Sequence, residues 1–163
     1  IDSRYLFLDE GYNLRPTEIN ASFGIQQLKK LQQFNIKRKK LSDRFYIELS
    51  KLKNLSVPKI VDGCKPCFMS LPFSVKPEKF GALKAIKYLE ERGVESRPLI
   101  AGNILKHPVC KSIKLESTHK VLKGANFHHC NSLYVGLSPN HSFEDIDRLI
   151  NVMKDLNKLI DEQ

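Results

Sequence analysis

Residues 9–24, DEGYNLRPTEINASFG, decide the fold of this chain, because they begin as a loop and end as a helix. Thr17 stands just before the first residues with helical apolar spacing, so we expect it to cap that helix. Tyr12, Asn13 and Arg15 lie immediately ahead of this helix start. Amide and guanidinium donors beside a helix N-terminus suit a phosphate group, and turn or capping chemistry also explains the same residues.

The composition is that of a globular protein with one hydrophobic core: 163 residues, 41% hydrophobic and 28% charged. No apolar run approaches the roughly 18 residues that a membrane-spanning helix needs, so no membrane partner is expected. The first residues lack the apolar stretch of a signal peptide. Because the chain begins with Ile1 rather than Met, we expect a processed product or a piece of a longer protein.

The net charge is +9, from 27 Lys and Arg against 18 Asp and Glu, and such a basic surface attracts polyanions. Much of the excess lies in the basic runs 29–30 and 37–40. On a helix these runs wrap around the axis, so a solvated helix surface is favoured over a nucleic-acid site. We therefore expect no nucleic-acid partner, and the charge keeps a nucleic-acid-binding module as an alternative.

The four cysteines include one CxxC motif, Cys64-Lys65-Pro66-Cys67. A structural zinc site requires a second close pair, and Cys110 and Cys130 are too far apart in the sequence to form one. The motif also enters a predicted strand rather than opening a helix, which argues against a redox pair. We expect no metal, and free, buried thiols in a reducing cytoplasm.

Gly and Pro residues, together with the apolar spacing, divide the chain into helices and strands. The predicted helices are residues 17–31, 34–52, 77–91, 118–130 with a break near Gly124, and 142–160 with Ser142 as the N-cap. The predicted strands are residues 67–75, 94–98 and 133–137, and residues 54–66 are a predicted break. Pro72 predicts an edge position or a bulge in the first strand. This alternation predicts an α/β fold with a small sheet covered on one face.

No catalytic motif is present: the sequence lacks GxSxG, a P-loop, HExxH and GxGxxG. The histidines are expected in scattered loops at the surface: His107, His119, His128, His129 and His141. A second polar cluster occupies residues 97–103, RPLIAGN. An Arg at a strand end before a Gly turn suits a phosphate or a carboxylate, and turn chemistry is again the alternative.

Three blocks of the sequence resemble one protein family. Residues 11–28, GYNLRPTEINASFGIQQL, look like the GYN-x-R-x-[ST]-[ED]-[IM]-x-A-A-x-G-x-x-Q-L signature of the DegT/StrS family. Residues 89–97, LEERGVESR, resemble its L-x-x-x-G-I-x-[ST]-R segment, and residues 133–139, LYVGLSP, resemble its closing strand and turn. These blocks follow the family's order over nearly the whole chain. The family comprises pyridoxal-phosphate (PLP) sugar aminotransferases and dehydratases of the aspartate-aminotransferase fold.

Residues 99–108, LIAGNILKHP, resemble the L-F-x-G-N-L-x-x-Q-P segment of the sugar 3-dehydratase subgroup. His107 stands where this subgroup often has Gln, and Pro16 departs from its usual residue. The subgroup acts on nucleotide-linked 4-keto-6-deoxyhexoses in deoxysugar biosynthesis. The resemblance therefore implies PLP-dependent loss of the C3 hydroxyl, with the cofactor as electron sink. A nucleotide-sugar aminotransferase is the alternative that the family also offers.

The resemblance implies that this chain is the C-terminal part of such an enzyme. Residues 1–53 would hold the GYN loop and long linking helices, and residues 54–163 a small α/β (α+β) domain with a mainly antiparallel sheet. The large domain that carries the catalytic Lys or His would precede Ile1, so we assign no catalytic residue here and expect this part alone to be inactive. Full-length relatives are homodimers in which the GYN loop crosses the interface, so the resemblance implies a homodimer, and we expect a cytoplasmic location.

Carried over residue by residue, Asn13 would reach the PLP phosphate of the partner subunit. Tyr12 and Arg15 would line the same shared site. The residues implied to face the nucleotide-sugar are Arg97, Gly102, Asn103 and His107. One branch of the subgroup holds an iron–sulfur cluster, but its cysteines do not match the CxxC of this chain, so no metal is implied.

Overall fold

The computed structural model describes residues 2–76, 80–111 and 122–162. Within these ranges the chain forms four α-helices, four short strands and three 3-10 helices. The α-helices are α1 (Glu18–Leu49), α2 (Gly81–Glu90), α3 (Lys123–Asn131) and α4 (Phe143–Asp161). The strands are β1 (Leu55–Ser56), β2 (Ser70–Val75), β3 (Ser96–Pro98) and β4 (Ser132–Gly136), and the 3-10 helices are Ser3–Tyr5, Ile104–Lys106 and Pro108–Lys111.

The predicted pair of N-terminal helices is wrong, because α1 is a single helix of 32 residues. No Gly or Pro interrupts the sequence between Leu31 and Phe34, and the two glutamines there are good helix formers. The C-terminal half of α1 buries Leu41, Phe45 and Leu49, which recur every fourth residue on one side. The N-terminal half has no buried residue, so only half of this helix belongs to the core.

The strands form one antiparallel sheet with the order β1-β2-β4-β3, which confirms the predicted antiparallel sheet. Leu71 is paired with Val135 and Phe73 with Leu133, so these side chains share one face of the sheet. They lie in a continuous hydrophobic core with residues from α1, α2 and α4. The helices thus bury one face of the sheet, as the alternating strand pattern predicts.

Strand β1 was not predicted, because Leu55 and Ser56 lie inside the predicted break 54–66. This short strand pairs only with Ser74 and Val75 of β2. Strand β2 is therefore an inner strand, contrary to the edge position that Pro72 predicts. Proline has no N–H group to donate to a neighbouring strand. Strand β1 is compatible with this, because it does not extend along β2 as far as Pro72. The Pro72 carbonyl accepts a hydrogen bond from the Tyr46 hydroxyl (3.2 Å).

The C-terminal helices follow the sequence signals with one exception. Ser142 and Asp145 form a capping box at the start of α4, in which the Ser142 hydroxyl accepts from the Asp145 amide at 3.1 Å. The predicted break near Gly124 is wrong, because Gly124 lies inside α3. Residues 77–79 and 118–121, where two helices were predicted to begin, lie outside the described residues. Among the described residues, no helix is long and apolar enough to cross a membrane.

Candidate functional site

The arm, residues 9–16, runs through solvent between the N-terminal turn and α1. Tyr12 is 96% exposed and Leu14 is 84% exposed. Asn13 and Arg15 are exposed as well, and within the described part of the chain their side chains make no hydrogen bond or ion pair. The polar groups of the arm are therefore open to an external ligand or to a partner.

Thr17 occupies the N-cap position of α1, as predicted, but its side chain does not cap the helix. Its hydroxyl instead donates a hydrogen bond to the Asn20 side chain at 3.2 Å. The first N–H groups of α1 therefore remain available to an acceptor outside the helix. They lie directly behind Asn13 and Arg15 in the sequence, so amide, guanidinium and backbone donors follow one another along the chain.

Arg97 lies on β3 directly opposite Tyr134 of β4, so the two side chains share one face of the sheet. The Arg97 guanidinium forms an ion pair with Glu95. The Tyr134 hydroxyl lies 2.9 Å from the Tyr5 hydroxyl, and this contact joins the N-terminal turn to the sheet. Burial raises the pKa of Tyr134 to about 12, with a smaller contribution from the hydrogen bond to Tyr5.

The N-terminal turn carries a second charged pair beside Arg97. Asp2 accepts hydrogen bonds from the Arg4 guanidinium at 2.7 and 3.0 Å. These bonds lower the pKa of Asp2, and the nearby positive charge of Arg97 acts in the same direction. The turn therefore meets the sheet through the Tyr5 and Tyr134 hydroxyls, and the charge of Arg97 on the sheet acts on Asp2.

The polar side chains of the segment 99–107 form hydrogen bonds inside the protein. Asn103 is buried; its Oδ1 accepts from the Leu105 amide at 3.0 Å and its Nδ2 donates to Asn126 at 2.7 Å. Gly102 has φ +66°, and a Cβ at this position would lie 2.5 Å from Nδ1 of His129. The tight turn and the approach of the histidine ring both require glycine here.

His107 is only 2% exposed, which corrects the prediction of a surface histidine. Its Nδ1 accepts from the Phe7 amide at 3.4 Å, so Nε2 carries the proton and donates to the Ala101 carbonyl at 2.9 Å. Both ring nitrogens are therefore engaged within the protein. His107 fixes the 99–107 segment against the N-terminal residues rather than presenting a free polar group.

Two more of the predicted loop histidines differ from expectation, whereas His141 lies in the loop before α4 as predicted. His128 and His129 lie on α3, and His119 lies outside the described residues. The Nδ1 atom of His128 lies 2.7 Å from the hydroxyl of buried Ser132. Burial lowers the pKa of His129, and the neighbouring positive charge of Lys106 adds to the effect.

The cysteines are free but not buried, contrary to the prediction of buried thiols: Cys64, Cys67 and Cys130 are exposed and Cys110 is half-buried. The Cys67 thiol donates to Asn35 of α1 at 3.1 Å, which holds the CxxC segment against the helix. Among the described residues, no group of three His, Cys, Asp or Glu side chains is arranged to hold a metal ion.

The predicted site residues Arg97 and His107 line two different cavities. Arg97 and Tyr134 line a cleft of about 1230 Å³, whereas His107 and His129 line a smaller cavity of about 290 Å³. Tyr5 borders both cavities. The pairing of Tyr5 with Tyr134 and the approach of His129 to Gly102 have no signal in the sequence, because these contacts join residues that are far apart in the chain.

Comparison with known proteins connects this arrangement to one family. The model of the DegT/DnrJ/EryC1/StrS aminotransferase family matches residues 2–154. GDP-4-keto-6-deoxy-D-mannose 3-dehydratase of Escherichia coli O55:H7 is 28% identical over 155 residues, which is 94% of this chain and 39% of the relative. dTDP-4-dehydro-2,6-dideoxy-D-glucose 3-dehydratase of Saccharopolyspora spinosa is 25% identical over 150 residues, or 91% of this chain and 32% of the relative.

Solved structures agree with the sequence comparison. E. coli GDP-4-keto-6-deoxy-D-mannose-3-dehydratase with bound hydrated PLP superposes with a TM-score of 0.71 at 27% identity, over 93% of this chain and 39% of that enzyme. A second structure, with a trapped PLP-glutamate geminal diamine, gives a TM-score of 0.75 at 27% identity over the same shares. The chain thus spans about 39% of the length of these enzymes and has the fold of that part.

Proposed function

The chain belongs to the DegT/DnrJ/EryC1/StrS aminotransferase family, and on this premise we propose that it is the C-terminal part of a PLP-dependent nucleotide-sugar 3-dehydratase. The substrate class is a nucleotide-linked 4-keto-6-deoxyhexose, by analogy with the named activities of its relatives. Another relative, RfbH of Salmonella typhimurium, is named a lipopolysaccharide biosynthesis protein, which supports a role in deoxysugar assembly. Transamination of the same substrate class is the second candidate, because the family model describes aminotransferases.

The observation that carries the proposal is the open set of donors along the arm. Asn13 and Arg15 have no partner within the described residues, and the start of α1 behind them is uncapped. These donors fit the phosphate end of PLP, since amide, guanidinium and helix N–H groups all bind phosphate oxygens. No lysine precedes Lys29, so the arm itself holds no amine that bonds the cofactor covalently.

In this assignment Asn13 binds the phosphate, and Tyr12 and Arg15 line the same pocket on the partner subunit. When bound, PLP supplies the electron sink for loss of the C3 hydroxyl. The arm orients the cofactor and excludes water from its phosphate end. The residues that handle the reacting proton belong to the rest of the enzyme, so the chain alone does not turn over substrate.

Arg97 is the residue that we assign to the nucleotide-sugar. It faces the large cleft beside Tyr134, and its guanidinium suits a phosphate or carboxylate group. We propose only an indirect role for Gly102, Asn103 and His107, because the polar side-chain atoms of Asn103 and His107 already form hydrogen bonds inside the protein. These residues shape the 99–107 segment that borders the substrate rather than binding the sugar through free side-chain groups.

We also propose that the enzyme is a homodimer built in part on α1. The N-terminal half of this helix exposes large apolar side chains on more than one side: Ile19 and Phe23 lie on one side, and Ile25 and Leu28 on the other, all 60–71% exposed. A helix that is apolar on opposite sides is suited to packing between two bodies. We propose that one side of the helix packs against the remainder of the enzyme and the other side against a second copy. The proposed domain boundary lies between residues 1–53 and 54–163.

A cytoplasmic location is part of the same proposal. All four cysteines are free thiols, including the neighbouring pair Cys64 and Cys67. Free cysteines are characteristic of proteins in reducing compartments.

The test uses the full-length protein that contains this chain. Asn13→Ala is expected to weaken PLP binding about tenfold, because it removes a hydrogen bond to a charged phosphate. Leu14→Ala is the matched control, since Leu14 is a neighbouring arm residue without a polar group. PLP titration followed by absorbance measures both. Unchanged cofactor affinity in Asn13→Ala overturns the assignment of the arm.

A second measurement separates the two candidate reactions. The holoenzyme is incubated with a GDP-linked 4-keto-6-deoxyhexose and glutamate, and the sugar product is analysed by mass spectrometry. A 3-deoxy sugar supports the dehydratase. A 4-amino sugar that keeps its C3 hydroxyl supports the aminotransferase instead.

A further inference from the structure

The large cleft collects arginines from four different parts of the fold. Its volume is about 1230 Å³, and it is bordered by α1, β3, β4 and α4. The arginines that line it are Arg38 of α1, Arg92 after α2, Arg97 of β3 and Arg148 of α4. Two carboxylates, Glu95 and Asp145, also line the cleft. Positive charge is therefore in excess on its walls.

Both carboxylates are already engaged. Glu95 forms an ion pair with Arg97. The Asp145 carboxylate accepts from the backbone amide of Ser142 at 2.9 Å and from its hydroxyl at 3.0 Å. These hydrogen bonds from Ser142 lower the pKa of Asp145 and hold its charge at the helix start. The positive charge of Arg148 lowers the pKa of Asp145 further, so the two carboxylates offset only part of the charge of the four arginines.

The remaining three arginines have no carboxylate partner among the described residues. The Arg38 Nε donates to the Leu137 carbonyl at 3.3 Å. The Arg92 guanidinium lies 3.5 Å above the Tyr88 ring and donates to the Tyr88 carbonyl. Arg148 is exposed at the rim on α4. Two of the guanidinium groups are thus held in place by neutral contacts, and the third, Arg148, acts at longer range on the Asp145 carboxylate.

Arginines elsewhere in the folded part of the chain are paired. Arg4 contacts Asp2 at 2.7 Å, and Arg44 contacts Asp147 at 2.9 Å. Among the described residues Arg15 of the exposed arm also lacks an ion pair, so three of the four arginines without one line the cleft. Concave, like-charged walls focus the electrostatic potential and raise the local concentration of anions.

We propose that this cleft binds the diphosphate group of a nucleoside diphosphate. A guanidinium presents paired N–H groups that match two phosphate oxygens, and several such groups suit a ligand with more than one negative charge. The cleft is far larger than one phosphate, so it also has room for the attached nucleoside or sugar. Asn13 and Arg15 do not line it, which separates this site from the proposed cofactor arm.

Resting on the proposed function, the ligand is the nucleotide-sugar, and Arg38, Arg92 and Arg148 become determinants of its binding. Arg97 lines the same cleft on β3, opposite Tyr134 of β4. The assignment extends substrate recognition from one arginine on the sheet to the helices on either side of it.

The test measures binding of inorganic pyrophosphate and of GDP to the full-length protein that contains this chain, by calorimetry at about 0.15 M salt, where long-range charge effects are screened. Arg148→Gln is expected to weaken both ligands about tenfold, and Arg92→Gln to have a similar effect. Arg44→Gln is the matched control, because it removes the same charge outside the cleft and is expected to change either affinity by less than twofold. Circular dichroism checks that each variant is folded.

Several results would overturn the inference. They are the absence of pyrophosphate binding, binding of GDP without pyrophosphate, and an equal loss of affinity in Arg44→Gln. None of these measurements involves PLP. If pyrophosphate binds as expected and the full-length protein retains no PLP, the cleft assignment stands and the proposed function fails; if PLP is retained and pyrophosphate does not bind, the reverse holds.

Discussion

The hydroxyl groups of Tyr5 and Tyr134 lie 2.9 Å apart and connect residues that are 129 positions apart in the chain. Tyr134 faces Arg97 across the sheet, and Tyr5 borders both cavities. The pair therefore fixes the N-terminal turn at the point where the two cavities meet. The arm begins only a few residues after this turn, so the contact also fixes where the arm starts.

The first prediction concerns the pH dependence of stability. Folding raises the pKa of Tyr134 to about 12, whereas an unfolded tyrosine titrates near about 10. Below about pH 10 its contribution to the free energy of unfolding is complete, and it is lost as the pH rises toward 12, because the unfolded chain releases the proton first. Urea denaturation between pH 8 and 12 should show a smaller decline for Tyr134→Phe than for the unsubstituted chain.

Tyr12→Phe is the control for this experiment, since Tyr12 is 96% exposed. Its pH profile should match that of the unsubstituted chain. At neutral pH, Tyr134→Phe should lower the free energy of unfolding by about 1 kcal/mol, the usual net value of one hydrogen bond. An unchanged alkaline decline in Tyr134→Phe would contradict the role of this hydroxyl.

The second prediction concerns the turn at Gly102. Gly102→Ala should lower the free energy of unfolding by about 3 kcal/mol, from the left-handed backbone and from overlap with His129. The added Cβ would lie 2.5 Å from the ring Nδ1 and 2.9 Å from the Cα of His129. Thermal or urea denaturation measures the loss.

Gly93→Ala separates the two causes. Gly93 has a similar φ of +73°, but an added Cβ there meets nothing within 4 Å. This variant should lose only the backbone contribution, about 1 kcal/mol. Equal losses in the two variants would mean that His129 does not pack against the turn as the structure shows.

The third prediction concerns His107, which accepts from Phe7 and donates to Ala101. His107→Leu leaves the Phe7 amide and the Ala101 carbonyl without these partners in a part-buried setting, so it should cost about 2 kcal/mol. His107→Gln offers both an acceptor and a donor and should cost less than about 1 kcal/mol. Denaturation curves measure both variants, and a Gln variant as unstable as the Leu variant would show that the two hydrogen bonds do not hold the segment.

The sequence predicts those elements whose signals are local. The capping box at Ser142 and Asp145, the helix that ends before Gly93 and the apolar strand around Leu133 all follow from residues a few positions apart. The continuity of α1 and the strand at Leu55 do not follow from such local signals. The first depends on the absence of any helix-breaking residue, and the second on pairing with Val75, twenty positions away.

The same distinction applies to the site. Arg97 and Gly102 stand in recognisable sequence surroundings, a strand end and a turn, so both could be named in advance. The burial of His107 could not, because its partners Phe7 and Ala101 come from different parts of the chain. The arginine cleft is equally invisible in sequence, since its four arginines come from separate elements.

The last prediction concerns the exposed half of α1. Leu28 lies on the same side of the helix as Ala21 and Gly24, whose small size allows another backbone to approach closely. Leu28→Glu should therefore weaken self-association of the full-length protein by at least about tenfold, because it places a charge in an apolar interface. Ile47→Glu is the matched control, as Ile47 is 60% exposed on the other half of the same helix. Sedimentation velocity over a range of concentrations measures both, and a Leu28→Glu protein that associates as strongly as the Ile47→Glu protein would remove this side of α1 from the proposed interface.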